Sequence, residues 1–195
     1  MQNSKKGCFM ETIKINVLIS GLRPMMFDRY AGDNNTQLPS SEKMYLDSHR
    51  RLIIPSLNLY SLLAAENTKS VCRQFFGKQG RTIALGISAY TDITPYEILI
   101  EDNNGPIIFS GFSEQIQIHK SVARLAKGIP NSKERPILAL PWHMSFTVVY
   151  QENRQCTLEN LRQAFQMGGT LGIGTFRPYF GRYQLVKWDE EDAKC

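Results

Sequence analysis

Residues 168–183 read GGTLGIGTFRPYFGRY, a stretch where glycines, cations and aromatics crowd together at short spacing. An amphipathic helix is expected just before it over Thr157–Met167, and a strand just after it over Gly181–Trp188. Thr157 is a natural cap. Leu158, Leu161, Ala164 and Phe165 make a buried stripe, and Gly168–Gly169 are expected to stop the helix. Gly169, Gly172 and Gly174 free the backbone to approach a ligand closely. Arg177 and Arg182 add planar donor forks suited to phosphate. Phe176, Tyr179, Phe180 and Tyr183 offer faces on which a base can stack, and Pro178 opposes a helix between the two arginines. A helix–glycine loop–strand of this composition holds a polyanion, or serves as a turn whose aromatics fill the core.

Working outward, Thr12–Gly21 (TIKINVLISG) alternates Ile13, Ile15, Val17 and Ile19 with a mostly polar set, the pattern of a strand with one buried face. The following stretch, with Arg23, Asp28, Arg29, Tyr30 and Asp33, lacks a period and reads as a long loop. Met44–Ile54 reads as a hairpin or strand pair, and Ser56–Phe75 as one helix closed by Gly77. Arg81–Ala89, Glu97–Ile100 and Pro106–Ile118 read as strands, with a tight turn at Asn103–Gly105. Lys120–Pro136 reads as a short helix plus loop or a mobile basic insertion, and Leu138–Tyr150 as a strand. Read with the shortest core, the order is β-α-β-β-α-β: an α+β, ferredoxin-like or RRM-like antiparallel sheet with two helices on one face. One domain over 1–195 is expected, with inserted segments near 22–52 and 81–137.

The net charge of +5 and pI of about 9.0 suit an anionic partner without identifying one. Cys8, Cys72, Cys156 and Cys195 have neither metal-ligand nor C-x-x-C spacing, which fits a reducing cytosol, and no segment has the length and apolarity to span a bilayer. The expectation is a cytoplasmic protein without cofactor, metal or membrane contact. GGTLGIG is not a dinucleotide or P-loop fingerprint: the helix precedes it, Pro178 follows it, and the Walker lysine is missing.

The terminal helix followed by GGTLGIGTFRPYFGRYQLV resembles the C-terminal glycine-rich signature of the repeat-associated (RAMP) superfamily of CRISPR effector backbone and processing proteins. Gly172, Gly174, Arg177, Gly181, Arg182 and Tyr183 occupy that pattern, and RRLIIPSLNLYSLLA is similar to the strand-Pro-Ser-helix entry of backbone-type members. The resemblance covers the first strand and helix and the last helix and strand. It implies a role in antiviral defence: a guide-RNA-binding, single-stranded-RNA-binding subunit of a ribonucleoprotein, assembling as repeated protomers with copies of itself and other effector subunits. The residues that would carry binding are Gly172, Gly174, Arg177, Tyr179, Arg182, Arg23, Arg29, Arg50, Arg51 and Lys127. Alternatives are a metal-dependent endoribonuclease of the same superfamily using Asp28 in the first loop, and a protein-interaction subunit or inhibitor that mimics an effector subunit.

Overall fold

The computed structural model describes residues 12–33, 36–66, 69–124 and 130–192. The alternation in the first strand, β1 (Thr12–Gly21), sets the frame: Ile15, Val17 and Ile19 are buried while Lys14, Asn16 and Leu18 point the other way. After β1 come a short β2 (Met25–Met26) and β3 (Ile53–Pro55), then α1 (Ser56–Ala64), α2 (Val71–Phe75) and α3 (Gly80–Tyr90). Next are β4 (Thr91–Thr94), β5 (Glu97–Leu99), β6 (Glu101–Asp102), β7 (Gly105–Pro106), β8 (Ile116–Arg124) and β9 (Pro130–Leu138). The chain closes with β10 (His143–Gln151), α4 (Leu158–Leu171) and β11 (Tyr183–Asp192).

β1 lies between β10 and β11, antiparallel to both, and β4 pairs antiparallel with the far side of β10. The spatial order β11-β1-β10-β4, with helices after β1 and β10, is the ferredoxin-like arrangement. The expected α+β class is therefore the observed one. The inward face carries Val148, Phe146 and Trp188 against the helices; the Phe165 ring of α4 lies 5.8 Å from Phe146 and 5.6 Å from Trp188. Tyr60 of α1 binds the edge of β4, donating to Thr91 O and accepting from Ile93 N. A second sheet, β2-β9-β8, is a long hairpin joined through β2 to the loop after β1, and β3 pairs with β5 in a separate two-stranded piece.

Several expected elements differ. The helix over Ser56–Phe75 is two helices, because Ala65 is extended (φ −57°, ψ 147°) and Val71 and Cys72 bury themselves after a turn. Arg81–Ala89 is helix α3, not a strand. Its Ile83, Ala84 and Ile87 line one helical face, and Gly80 and Gly86 lie flush against the Cys72 carbonyl and the Cys156 side chain. Pro106–Ile118 is not one strand: Ile108 makes only an isolated bridge to Arg51, and β8 starts at Ile116. Lys120–Pro136 is neither helix nor loop at its described ends but the two arms of the β8–β9 hairpin, in register from Ile116/Leu138 to Arg124/Pro130. Asn103–Asn104 do form the turn between β6 and β7.

The last helix is capped as expected, Thr157 Oγ1 accepting from Asn160 N at 3.2 Å. It does not stop at Gly168–Gly169. Both glycines are buried in the helix, and a side chain on either would collide with Tyr183, so α4 packs close against β11 there and ends at Gly172.

Candidate nucleic-acid interface

The loop from Gly172 to Arg182 is laced to the chain that leaves β1. Gly181 N donates to Pro24 O, Thr175 N to Met26 O, and Leu22 N to Arg182 O, while Ile173 N donates to Gly181 O within the loop. Gly181 sits at φ +70° with its Cα against the Ile173 backbone, so only glycine fits without strain. The two connections that flank the central strand thus form one body. The β8–β9 hairpin joins it: Phe27 N donates to Pro136 O, and His119 meets Phe180 edge-on at 6.0 Å.

Arg135 of the hairpin is the buried joint of this body, 6% exposed. Its Nε is 2.6 Å from Asp28 Oδ2, a terminal nitrogen donates to Ser121 Oγ, and its guanidinium lies 4.8 Å from the Phe176 ring centroid. It was expected on a basic surface; its partners bury it instead. Asp28 also lies 3.8 Å from Lys43 Nζ. Lys43 in turn donates to Glu134 O.

Arg177 is half-buried and, among the described residues, meets no carboxylate and makes no hydrogen bond. Burial alone pushes its guanidinium below the ordinary value. It lines two adjoining hollows. One, of about 660 Å³, runs past Phe176, Pro178, Gln74 and Lys69. The other, of about 210 Å³, lies between the glycine loop and α1 and reaches Asp28 and Tyr45. From Tyr45 the depression continues into a hollow of about 600 Å³ holding Arg29 and Arg50, and from Asp28 and Arg29 into one of about 540 Å³ edged by Lys43 and Lys133. Neighbouring hollows share lining residues, Arg177 for the first two, Tyr45 and Asp28 leading on from the second, and Arg29 for the last two, so the four form a row, a broken groove, beside the glycine loop and the loop after β1.

Gly172, Gly174, Arg177, Tyr179 and Arg182 share the glycine loop, and Arg23 joins them: its NH1 approaches Tyr179 O at 3.4 Å and its N donates to Arg182 O. Tyr179 is 74% exposed and presents its ring to solvent, whereas Phe176 is half-exposed with the Arg135 guanidinium over its ring. Arg182 donates from Nε to Pro178 O and pairs with no acid among the described residues. Arg29 and Arg50 come together on the groove; Arg50 also donates to Phe109 O and stacks on that ring at 5.4 Å. Arg51 stands apart, its Nε bound to Asp47 at 2.6 Å. Lys127 lies outside the described residues. Tyr183 offers no stacking face: it is 2% exposed, and its hydroxyl donates to Phe165 O.

The outer face of the main sheet is the one the helices leave uncovered. In RRM-type domains that face stacks bases on aromatics. Here it presents Lys14, Asn16, Leu18, Thr147, Val149 and Asp92, with Lys187, Asp189 and Glu191 from β11. Among the described residues it carries no Phe, Tyr or Trp ring, His143 at its edge faces Glu101, and its lysines are answered by Glu191 and Asp189. Cations and exposed rings gather at the end of the sheet instead. Sequence reasoning missed Tyr45, Asn58 and Lys43, which enter the groove from separate elements and share no local motif.

Among the described residues no three His, Cys, Asp or Glu side chains are placed to hold a metal ion, and no helix is long and apolar enough to cross a membrane.

The fold class is that of a ferredoxin-like α+β protein. Among solved structures, the chain is similar to one in the cryo-EM structure of the Type III-B Cmr-beta complex bound to cognate target RNA. The TM-score is 0.60 at 12% identity, covering 94% of this chain and 62% of that one. The likeness is one of fold, and this chain spans less than two thirds of that neighbour's length. No family model matches the sequence, and a search of curated proteins finds no match.

Proposed function

We propose that the chain is a single-stranded-RNA-binding subunit of a CRISPR-like ribonucleoprotein of the repeat-associated type, holding a guide RNA as one of several repeated protomers. The observation that carries this is Arg177: a half-buried guanidinium without an acid partner among the described residues, lining two hollows that adjoin those of Arg29, Arg50 and Lys133. A buried cation is normally paired. An RNA phosphate or base edge supplies the missing acceptor, and contacts to phosphate hold the strand without reading sequence. Arg23, Arg182 and the exposed Tyr179 extend the cationic and stacking surface past the glycine loop. The fold neighbour belongs to a complex bound to target RNA, which supports an RNA partner and other subunits as partners here.

The role proposed is binding rather than cleavage. Asp28, the acid a nuclease reading needs, has two cations beside it, Arg135 and Lys43, which oppose a metal ion there while leaving lone pairs open to neutral donors.

The test is a mobility shift on labelled single-stranded RNA across a salt series. Binding should weaken steeply with salt, because phosphate contacts release counterions. Arg177→Ala and Arg182→Ala should each weaken binding and flatten the salt dependence by about 0.7 per lost contact. Unchanged affinity in both folded variants removes the site. No shift at low salt with any nucleic acid, together with tight binding to a protein, replaces this reading with that of a protein-interaction subunit.

A further inference from the structure

The smaller hollow beside Arg177 is built differently from the rest of the groove. Its floor is apolar, formed by Phe27, Ile54 and Ile173, all buried. Its polar groups come from separate elements: Arg177 on the glycine loop, Asp28 on the loop after β1, Asn58 and Ser61 on α1, and Tyr45 before β3. An apolar floor with a few converging polar groups is the construction of a site for a flat, polar-edged ligand. At about 210 Å³ it is far smaller than the neighbouring hollows, the scale of one base rather than a length of strand.

The charges in it are arranged for recognition. Arg177 and Asp28 line the same small space, and no ion pair joins them. The guanidinium supplies only donors and the carboxylate only acceptors. Asp28 spends one Oδ2 lone pair on Arg135, Lys43 Nζ stands 3.8 Å from Oδ1, beyond hydrogen-bond distance, and lone pairs remain on both oxygens. Guanine presents two acceptors, N7 and O6, on one edge. On another edge its N1–H and N2 amino group donate side by side. Adenine sets its N6 amino donor where O6 stands, against a guanidinium that also donates. Pyrimidines have a single ring and leave part of the apolar floor uncovered.

We infer that the hollow between the glycine loop and α1 is a guanine-selective base subsite, taking an unstacked guanine of the bound RNA with Arg177 on N7 and O6 and Asp28 facing N1 and N2. The subsite rests on the RNA-binding reading, and adds a base preference to contacts that otherwise hold only phosphates. Ser61 and Asn58 supply further polar partners at the rim, and the ring plane covers Ile173 and Phe27.

The experiment compares short oligouridines carrying one central guanosine, adenosine, cytidine or uridine. Guanosine should raise affinity about tenfold over the other three. Inosine, which lacks the N2 amino group, and 7-deazaguanosine, which lacks N7, should each lose most of that gain. Arg177→Lys keeps the charge without the fork and should lose the preference while its circular dichroism stays native. In parallel, guanosine monophosphate should shift the methyl NMR signals of Ile54 and Ile173, and adenosine monophosphate should not. RNA binding with equal affinity for all four oligonucleotides and unmoved methyls overturns the subsite and leaves the RNA reading standing. Methyl shifts with guanosine monophosphate but no binding of any RNA keep the subsite and overturn the RNA reading. A guanine preference that survives in Arg177→Lys also overturns the subsite.

Discussion

Arg135 is the residue on which the site's geometry turns. Its guanidinium closes three pieces of chain at once: Asp28 after β1, Ser121 across the hairpin, and the Phe176 ring in the glycine loop. Arg135 is buried, while Asp28 is partly exposed and keeps Lys43 nearby, so what is lost is the charged hydrogen bond and the packing of the guanidinium. Arg135→Ala should therefore cost about 2 kcal/mol of stability, read from urea unfolding. It should also loosen the glycine loop, seen as faster amide exchange at Thr175 and Gly181, whose amides are bonded to Met26 O and Pro24 O. A loss no larger than that of an exposed pair would mean the joint is held elsewhere. Nothing near Arg135 in the chain announces this role, because its acid stands 107 positions away. In the sequence it is one more cation in a basic stretch.

Among the elements, β1 and α4 were legible because local pattern and tertiary demand agree. Ile13, Ile15, Val17 and Ile19 alternate cleanly, and α4 has a cap and a continuous stripe. Helix α3 was not legible: RTIALGISA satisfies a strand alternation and a helical face at once, and the contact of Gly86 with Cys156 comes from tertiary packing. The β8–β9 hairpin hid for a different reason. His119, Lys120 and Lys133 are polar, Val122 is exposed, and an arm standing off the body needs no apolar face. Within the site, the glycine loop was visible from its composition, whereas the groove was not, since its walls come from segments far apart in the chain. Two element-level substitutions measure the packing. Thr157→Ala should lower stability by about 1 kcal/mol through the lost cap. Gly181→Ala should cost about 2 kcal/mol or more, combining a strained φ of +70° with a collision against the Ile173 backbone. A melting temperature unchanged from the parent in Gly181→Ala would show that the loop can re-route.

For the molecule as a whole, two core thiols set an alkaline limit. Cys72 and Cys156 are fully buried, and burial pushes both up to about 12. An unfolded thiol ionises near pH 9, so above that pH the unfolded chain holds fewer protons than the folded one. Stability is then intact below pH 9 and falls between pH 9 and 12. Urea midpoints should decline over that window, and Cys72→Ala with Cys156→Ala should flatten the decline. In the native protein at neutral pH, neither thiol should react with a soluble disulfide reagent. Prompt labelling of either would show that the core opens.

The broad outer plane of the main sheet has its lysines already matched by Glu191 and Asp189, and Asp92 adds a further carboxylate. A polyanion would gain nothing there, and on the proposed RNA-binding reading the strand would follow the narrow rim where β1 ends and leave the wide plateau vacant.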